Sequence, residues 1–363
     1  LLEFGGLTSK LGVLQGLPFL LQAVDSIHPH LVPAYKEMAK HSTIPLWEIY
    51  HLLVSFEPKP MGDPTLWRYA DLRPLLLDAG QKISAEEAER RVLALKNPGL
   101  ERPGIAQTLF AGLQLVMPDE IAPAHRHTQG AIRFVVESTG GYTAVEGERC
   151  TMERGDFITT PSWTWHDHEN TGDGPMIWLD GLDVPLVNFF GAKFAEENET
   201  DQQPIHRGND DSVQRFGLGL RPFAGAQQKP YSPIYRYPYA TAKAALMQMA
   251  ASDQIDPRHG HKMVYANPND GGHVLPTIAA FLQHLPKGFE TTGTRSTEST
   301  VFSVVEGRGT AKVGETDMPF EENDTFVIPN WMTYQLHAET DVVLFSFSDR
   351  AAQERLGIFQ DNA

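Results

Sequence analysis

Two histidines separated by a single residue begin the part of the sequence whose residue types could do chemistry. Residues 123–134, P-A-H-R-H-T-Q-G-A-I-R-F, hold His125, His127 and, six positions further on, Arg133. Side chains alternate between the two faces of a strand, so these three would share one face of an extended segment. Burying two imidazoles and a guanidinium without partners costs free energy. We therefore expect this face to hold a ligand.

A third imidazole is supplied by residues 155–170, G-D-F-I-T-T-P-S-W-T-W-H-D-H-E-N. The spacing matches the second of the two sequence motifs that mark cupin proteins. The residues that carry this motif are Gly155, Pro161, His166 and Asn170, with Trp163 where the motif usually has glycine. Three histidines from two short segments therefore form a candidate metal site.

The first cupin motif begins with His125-x-His127 but lacks the glutamate that usually follows. The corresponding stretch is Q-G-A-I, residues 129–132, and no carboxylate occurs before Glu137. A divalent cation bound by three neutral imidazoles keeps its +2 charge and about three of its six octahedral positions. Such a centre favours a ligand with two anionic oxygens, such as an aromatic ring with adjacent carboxylate and phenolate groups, and it leaves a position for O2. Imidazole binds iron, zinc, copper and nickel alike, so the residues alone leave the metal open.

The elements that must position these residues change in character along the chain. The sequence predicts a helical N-terminal arm over residues 1–95, a β domain over 96–190, a connector over 191–262 and a second β domain over 263–355. Short runs such as TLFAGLQLVM and AIRFVVE, broken by glycine, proline and aspartate, are typical of strands in a sandwich or barrel.

One helix of the arm has a clear start signal. Ser84 and Glu87 form a capping box, and Ala88, Val92 and Leu95 would share one face of the helix that follows. We therefore expect the helix to continue towards residue 95.

The second β domain repeats the first. Residues 108–137 align with residues 277–306 at a constant offset, which places one V-V-E run on another. Such self-similarity indicates an internal duplication. The histidines are not repeated, because their positions are taken by Thr294, Ser296 and Tyr334. The sequence thus predicts a mainly β protein with two β-barrel (jelly-roll) domains, the second without metal ligands, and an α-helical N-terminal arm.

These motifs together resemble the bicupin ring-cleaving dioxygenases, the gentisate 1,2-dioxygenase family with its salicylate and 1-hydroxy-2-naphthoate relatives. The resemblance extends from PLWEIYHLLV near residue 45 through LWRYADLRPLL, AERRVLALKNPGL and R-F-V-V-E to the second barrel. It implies Fe(II) held by His125, His127 and His166, and a homotetramer. The implied reaction is cleavage of gentisate by O2 between its carboxyl- and 2-hydroxyl-bearing carbons, which gives maleylpyruvate. Cleavage of salicylate or 1-hydroxy-2-naphthoate, and a non-catalytic metal-binding bicupin, are the alternatives.

Candidate substrate-binding residues lie on two predicted strands. Arg133 shares the histidine face, where its guanidinium could bind a substrate carboxylate or form a buried ion pair. Phe110, Gly112 and Gln114 share one side of their strand, and glycine there would leave room for a ring. Plain packing explains Phe110 and Gly112 equally well, whereas the resemblance favours a pocket role for Gln114.

Two further side chains are candidates for catalytic proton transfer. His168 lies two residues beyond His166 and could face the same cavity, where it would hydrogen-bond or protonate a dioxygen adduct, or it could point to solvent. The resemblance implies that Asp180 meets the distal hydroxyl of the substrate, and a hydrogen-bonded aspartate at a strand end is the alternative. The resemblance alone, through E-R-R before N-P-G-L, suggests that Arg90 binds the substrate carboxylate, with Arg91 as its competitor.

Two other histidine pairs have the same short spacing. His28-Pro29-His30 and His259-Gly260-His261 are not followed by the second motif, so we interpret both as loop or surface histidines.

Composition argues against several partners and locations. The formal charge of −16 and pI near 5.3 leave no basic surface for nucleic acid. The apolar stretch 11–24 contains two glutamines and a proline, and it is too short for a membrane span and unlike a signal peptide. The single cysteine, Cys150, cannot form an internal disulfide, so we expect a small buried residue and a cytoplasmic location.

Overall fold

The computed structural model describes residues 28–88, 90–220, 222–223 and 229–362. The chain divides into two compact units, Leu1–Lys59 and Pro60–Ala363. The predicted boundaries between the arm, the barrels and the connector stay predictions, and the apolar stretch 11–24 lies outside the described residues.

The first unit is helical where it is described. Its elements are a 3-10 turn (Pro29–Leu31) and the helices α1 (Val32–Lys40) and α2 (Leu46–Leu53). Buried Glu48 joins them, because its carboxylate accepts hydrogen bonds from the Tyr35 hydroxyl at 2.7 Å and from the backbone N–H of His28 at 3.2 Å. His28 of the first histidine pair therefore has a structural partner.

The second unit is mainly β. Its elements in chain order are β1 (Thr65–Trp67), α3 (Tyr69–Lys82), α4 (Ala85–Ala88), β2 (Val92–Ala94), β3 (Phe110–Val116), β4 (Ile121–His127), β5 (Ala131–Glu137), β6 (Tyr142–Val145), β7 (Glu148–Thr151), β8 (Phe157–Thr160), β9 (His166–Glu169), β10 (Met176–Leu182), α5 (Val184–Phe189), β11 (Ala195–Glu197), α6 (Asp211–Phe216), β12 (Arg236–Tyr237), α7 (Tyr239–Ser252), β13 (His261–Val264), β14 (Ala279–Leu285), β15 (Thr300–Glu306), β16 (Gly309–Val313), β17 (Thr316–Phe320), β18 (Thr325–Ile328), β19 (Tyr334–Ala338), β20 (Val342–Ser348) and α8 (Arg350–Leu356). Among the described residues, no helix combines the length and apolar character that crossing a membrane requires.

The strands form two pairs of sheets. The first jelly roll combines a six-stranded sheet, β12-β8-β5-β10-β3-β2, with a five-stranded sheet, β11-β4-β9-β6-β7. The second combines β1-β18-β15-β20-β14-β13 with the three-stranded sheet β17-β16-β19. Apolar residues from both sheets of each pair form one interior cluster, and Cys150 lies buried in the first of these, as predicted. The predicted mainly β fold with two jelly rolls is therefore confirmed.

The two six-stranded sheets pack against each other and form the largest core of the molecule. Phe134 of the first jelly roll stacks on Phe345 of the second, with ring centroids 4.3 Å apart. Backbone also approaches closely here, because a Cβ atom built on Gly181 would lie 2.7 Å from the Phe347 ring. The strand face opposite the predicted metal face of β5 is thus the interface between the jelly rolls.

The duplication extends to hydrogen bonds between the halves. Thr108, before β3, donates to Asp349 Oδ2 of the second jelly roll at 2.7 Å. Its duplicate, Thr277, donates to Asp183 Oδ2 of the first at 2.5 Å. The pairing of Thr108 with Thr277 found in the sequence therefore reflects equivalent positions in the structure.

Each jelly roll also takes an edge strand from the other part of the chain. β1, which precedes the first jelly roll, pairs with β18 of the second, whereas β12 pairs with β8 of the first. The Tyr69 backbone N–H donates to Asp324 of the second jelly roll at 2.8 Å, and its hydroxyl donates to Glu137 of the first at 2.9 Å. The strand and helix units that begin at β1 and β12 are therefore exchanged between the halves.

The helix predicted after Ser84 is shorter than expected. The Glu87 backbone N–H donates to Ser84 Oγ at 3.0 Å, so the cap forms, but α4 ends at Ala88. Val92 lies instead in β2, paired with Gln114 of β3. The prediction of a continuing helix was wrong because pairing at the edge of a sheet outweighs the local capping signal.

We expect Gly181→Ala to destabilise the fold by about 1–3 kcal/mol, because the added methyl group overlaps the Phe347 ring in the core between the jelly rolls. Chemical denaturation followed by tryptophan fluorescence measures the change. Gly130→Ala is the matched control, since a Cβ atom at that buried glycine would lie 3.5 Å from its nearest neighbour. Equal unfolding midpoints for the two variants would contradict this account.

Candidate metal centre

The three histidines predicted as ligands meet inside the first jelly roll. His125 and His127 lie on β4, and His166 begins the neighbouring strand β9, directly opposite His125. Their ring centroids are 4.2 to 5.3 Å apart. One ring nitrogen from each lies within 4.8 Å of the others, and no carboxylate of the described chain joins the group. The arrangement can hold a metal ion with nitrogen ligands alone.

Local hydrogen bonds fix which nitrogen the rings of His127 and His166 turn to the centre. The Nδ1 atoms of His127 and His166 lie 2.9 Å from the carbonyl oxygens of Gln129 and Thr164, and His125 Nδ1 lies 3.2 Å from that of Pro123. A carbonyl only accepts, so Nδ1 of His127 and of His166 carries the proton and Nε2 keeps its lone pair, whereas His125 Nδ1 also contacts the Arg90 guanidinium, which only donates. Backbone support of this kind is what metal-binding histidines normally have.

Burial keeps the three imidazoles neutral. Burial, together with the charges of the nearby Arg90 and Arg133 guanidinium groups, lowers the pKa of His127 to about 4 and that of His125 to about 2. The pKa of His166 is also lowered by burial. His166 Nε2 is buried and makes no hydrogen bond to a described residue. A neutral donor aimed into a polar interior without a partner fits a divalent metal ion.

The turn before β9 in the first jelly roll has the same backbone geometry as the turn before β19 in the second. Trp163 adopts a left-handed φ of 61°, and its N–H donates to the carbonyl of His127 at 2.7 Å. Trp331 has a φ of 59°, and its N–H donates to Ser296 at 2.6 Å. Because the second jelly roll keeps this turn without the histidines, the tryptophan in place of glycine belongs to the duplicated fold rather than to the metal site.

Arg133 and Asp180 form a buried pair in the same interior. They lie opposite each other on β5 and β10, with Arg133 Nε 3.5 Å from Asp180 Oδ1. Arg133 Nη1 donates to Thr160 Oγ1 at 2.6 Å, and the Trp178 indole N–H donates to Asp180 Oδ1 at 2.9 Å. Burial raises the pKa of Asp180 to about 6, an effect that Arg133 and Trp178 oppose. The ion pair that the sequence left as an alternative is present, and its guanidinium also acts on all three histidines.

His168 faces this interior and not the solvent. It is fully buried, with its ring centroid 6.0 Å from that of His166 and 4.9 Å from that of Trp178. Its Nδ1 lies 2.8 Å from Thr143 Oγ1, while Nε2 makes no hydrogen bond to a described residue. Burial, together with the charge of Arg133, lowers the pKa of His168. A neutral ring with one unpartnered nitrogen is therefore available to a ligand.

The two neighbouring arginines have different surroundings. Arg91 forms a bidentate ion pair with Glu120, at 2.7 and 2.8 Å, and also donates to Ile83 O. Arg90 donates to the carbonyl of Pro123 at 2.6 Å and contacts the His125 ring. The structure therefore brings Arg90, and not Arg91, to the histidine cluster.

The strand β3 contributes less open space than its sequence indicates. Gln114 is buried opposite Trp178, and Phe110 is half-buried at the start of the strand. A Cβ atom on Gly112 would lie 2.5 Å from Val92 Cγ1, so this glycine makes room for the packing of β2. The expectation that Gly112 leaves space for a substrate ring is not supported at this position.

The second jelly roll replaces the polar interior with apolar side chains. Phe302 stands where Arg133 stands, and Leu336 stands where His168 does. Both are fully buried in the interior cluster of the second jelly roll.

The histidine pair His259-Gly260-His261 was predicted to lie in a loop or at the surface. This prediction is wrong for His261, which is buried in β13 with its ring stacked on that of His284.

Sequence reasoning missed three residues of the polar interior: Thr143, Thr160 and Trp178. Each bonds a predicted site residue, namely His168, Arg133 and Asp180 respectively. Thr143 and Thr160 lie on other strands, so only the folded chain joins them to their partners. Trp178 lies two residues from Asp180 on one strand face, and this spacing is the signal that could have identified it.

We expect His166→Ala to reduce the bound metal from one equivalent per chain towards none, because two imidazoles leave too few protein ligands. Tyr334→Phe, at the matched position of the second jelly roll, is the control and should leave the metal content unchanged. Elemental analysis after gel filtration measures both. A full equivalent retained by His166→Ala would show that the three histidines are not the ligands.

Comparison with known proteins agrees with this geometry. The cupin domain family matches residues 112–183, which contain all three histidines. Gentisate 1,2 dioxygenase 1 from Aquipseudomonas alcaligenes is 47% identical over 329 residues, and the match covers 90% of this chain and 95% of that protein. A 5-aminosalicylate 1,2-dioxygenase from a Comamonas species is 38% identical, and the match covers 94% and 93% of the two chains.

A solved structure extends the similarity to the whole fold. The salicylate 1,2-dioxygenase of Pseudoaminobacter salicylatoxidans, crystallised as adducts with gentisate, superposes with a TM-score of 0.87 at 34% identity. The match covers 94% of this chain and 96% of that one. The chain therefore belongs to the gentisate 1,2-dioxygenase family of bicupin dioxygenases.

Proposed function

We propose that this protein is a gentisate 1,2-dioxygenase that uses Fe(II) and O2 to open the ring between the carboxyl- and 2-hydroxyl-bearing carbons, giving maleylpyruvate. The observation that carries the proposal is a cluster of three neutral histidines without a carboxylate, in the same interior as Arg133 and Asp180. The gentisate 1,2-dioxygenase from Aquipseudomonas alcaligenes supports the choice of substrate.

The histidine cluster determines which substrate charge is accepted. His125, His127 and His166 would hold the Fe(II) through their Nε2 atoms without cancelling its charge. Bound there, Fe(II) supplies a Lewis-acid centre and one-electron exchange with O2, which protein side chains do not offer. An aromatic acid with adjacent carboxylate and phenolate oxygens carries the compensating negative charge.

Arg133 orients the substrate carboxylate. Thr160 holds Nη1, while the Nε–H makes no hydrogen bond to a described residue. A buried guanidinium with an unused donor is suited to bind a carboxylate, and charge-assisted hydrogen bonds are strong away from water. Arg90, in contact with His125, supplies a second positive charge near the same group.

Asp180 accepts the proton of the 5-hydroxyl group. With a pKa of about 6 it is mostly ionised at neutral pH, yet it is a stronger base than an exposed aspartate. Removing that proton pushes electron density into the ring. His168, neutral and buried, donates or accepts a proton through Nε2, and Thr143 fixes its orientation. Gln114 and Phe110 complete the wall beside β10.

The alternative substrates differ from gentisate in the group that Asp180 would meet. Salicylate and 1-hydroxy-2-naphthoate have no 5-hydroxyl group, so a base at this position would have no proton to remove from them. The substrate named for the Comamonas relative, 5-aminosalicylate, has an amine there and stays a candidate. A non-catalytic bicupin would bind metal without consuming O2.

Oxygen-uptake assays of the Fe(II)-loaded protein separate these candidates. We expect uptake with gentisate, matched by the absorbance of the ring-opened product, and much lower kcat/KM with salicylate and 1-hydroxy-2-naphthoate. Uptake with another acid but not with gentisate would reassign the substrate. Absence of uptake with every acid, together with bound metal, would favour the non-catalytic alternative.

We also propose that the enzyme is a homotetramer. Helix α2 exposes about half of the side-chain surface of Trp47, Tyr50 and Leu53, and clustered apolar surface of this kind is typical of assembly sites. Light scattering should give the mass of four chains, and a monomer would contradict the proposal.

The cytoplasmic location expected from the single cysteine stays a prediction.

We expect Trp178→Phe to shift the acidic limb of the pH profile of kcat/KM to higher pH. The variant removes the hydrogen bond that stabilises ionised Asp180, so the pKa of this carboxyl rises above about 6 and less of it is ionised at pH 6 to 7. Activity near pH 8 should change little. Trp165→Phe, whose indole stacks on Arg126, is the control. Identical acidic limbs for both variants and the wild type would exclude this role.

A further inference from the structure

A cavity of about 550 Å³ opens at the second jelly roll, away from the histidine cluster. Its wall includes Thr294, Ser296 and Tyr334, the three residues at the positions of the metal-binding histidines. Their hydroxyl groups can form hydrogen bonds but bind a divalent metal poorly. The second jelly roll therefore lacks the metal ligands, and polar side chains at these positions line a cavity beside its apolar interior.

Three of the five carboxylates that line this cavity, Asp256, Glu298 and Glu354, have partners within the protein. Glu298 accepts a hydrogen bond from Ser348 Oγ at 2.5 Å and forms an ion pair with Arg350 at 3.4 Å. Glu354 also pairs with Arg350, at 2.7 Å. Asp256 Oδ1 accepts two backbone N–H groups, at 2.7 and 2.9 Å. The negative charges of these three side chains are thus paired or hydrogen-bonded within the protein.

Lys262 differs from these groups. It lies on β13 opposite Gln283, with its ammonium nitrogen 4.4 Å from the centroid of the Phe281 ring. No carboxylate of the described residues lies within 4.0 Å of it. Burial lowers the pKa of Lys262, and the more distant negative charge of Glu298 partly offsets this effect. A half-buried cation that has an aromatic face and no carboxylate as its close partner among the described residues is suited to receive an anion.

We propose that this cavity binds a monocyclic aromatic carboxylate, with the carboxylate on Lys262 and the ring beside Phe281 and Tyr334. The volume lies within the range of small-molecule sites, and the mixture of a cation without a carboxylate within 4.0 Å, aromatic faces and hydroxyl groups matches that class of ligand. Thr294 and Ser296, whose hydroxyl groups donate to Asn362 at 3.4 Å and to Glu298 at 3.3 Å, form the polar part of the wall. This site needs no metal and does not depend on ring cleavage elsewhere in the chain.

Equilibrium dialysis of the full metal-loaded protein with labelled benzoate tests the proposal. Benzoate carries the carboxylate and ring but no hydroxyl group, so it is a probe of binding and not a substrate for ring opening. We expect two equivalents per chain for the wild type, one at each jelly roll. Lys262→Met should lose one equivalent, with at least a tenfold weaker affinity at that site, because the ammonium group is gone. Arg133→Met should weaken the other equivalent only.

The controls separate lost binding from lost structure. Lys262→Arg keeps the positive charge and should retain the second equivalent. Lys262→Met should keep its thermal unfolding midpoint and its gentisate-dependent O2 uptake, since Lys262 lies outside the histidine site. Unchanged benzoate binding by Lys262→Met would overturn the proposal, as would loss of the second equivalent by a well-folded Lys262→Arg. A protein without dioxygenase activity could still bind benzoate at Lys262. Failure of the proposed function, measured by O2 uptake, is therefore distinguishable from failure of this proposal, measured by benzoate binding.

Discussion

Removal of water from the interior of the first jelly roll controls the chemistry of this protein. Burial makes the imidazoles of His125, His127 and His166 neutral ligands at physiological pH. The same burial raises the pKa of Asp180 and lowers that of Arg133, and the attraction between these two groups offsets part of its cost. The shifted pKa values of the histidines, Asp180 and Arg133 therefore have one common cause, since each side chain would have its usual pKa in water.

The second jelly roll shows what the same backbone does without this constraint. Phe302 and Leu336 occupy the positions of Arg133 and His168, and the interior becomes an apolar cluster. The turn at Trp331 keeps the geometry of its duplicate although it supports no histidine. Fold and chemistry are thus separable here: hydrophobic packing and backbone pairing maintain the architecture, while a few interior substitutions decide whether a reactive centre exists.

The sequence predicted what local spacing determines. The three histidines could be grouped because strand alternation and two short motifs fix their relative placement. Discrimination between Arg90 and Arg91 required the tertiary structure, because only the folded chain brings Glu120 to one of them. The hydrogen bond from Trp178 to Asp180 was not predicted for a related reason, since it depends on a rotamer chosen by packing. The prediction of a continuing helix after Ser84 was wrong because the residues that follow form β2, which pairs with β3. The local sequence pattern does not reveal that partner strand.

The exchange of β1 and β12 between the halves has a consequence for biosynthesis. The first six-stranded sheet remains incomplete until β12 has left the ribosome, and β1 waits still longer for its partner strand β18. Such long-range pairing delays final closure until nearly the whole chain has been translated. Each half is completed by a strand from elsewhere in the chain, so a truncated chain would expose a sheet edge, which invites aggregation.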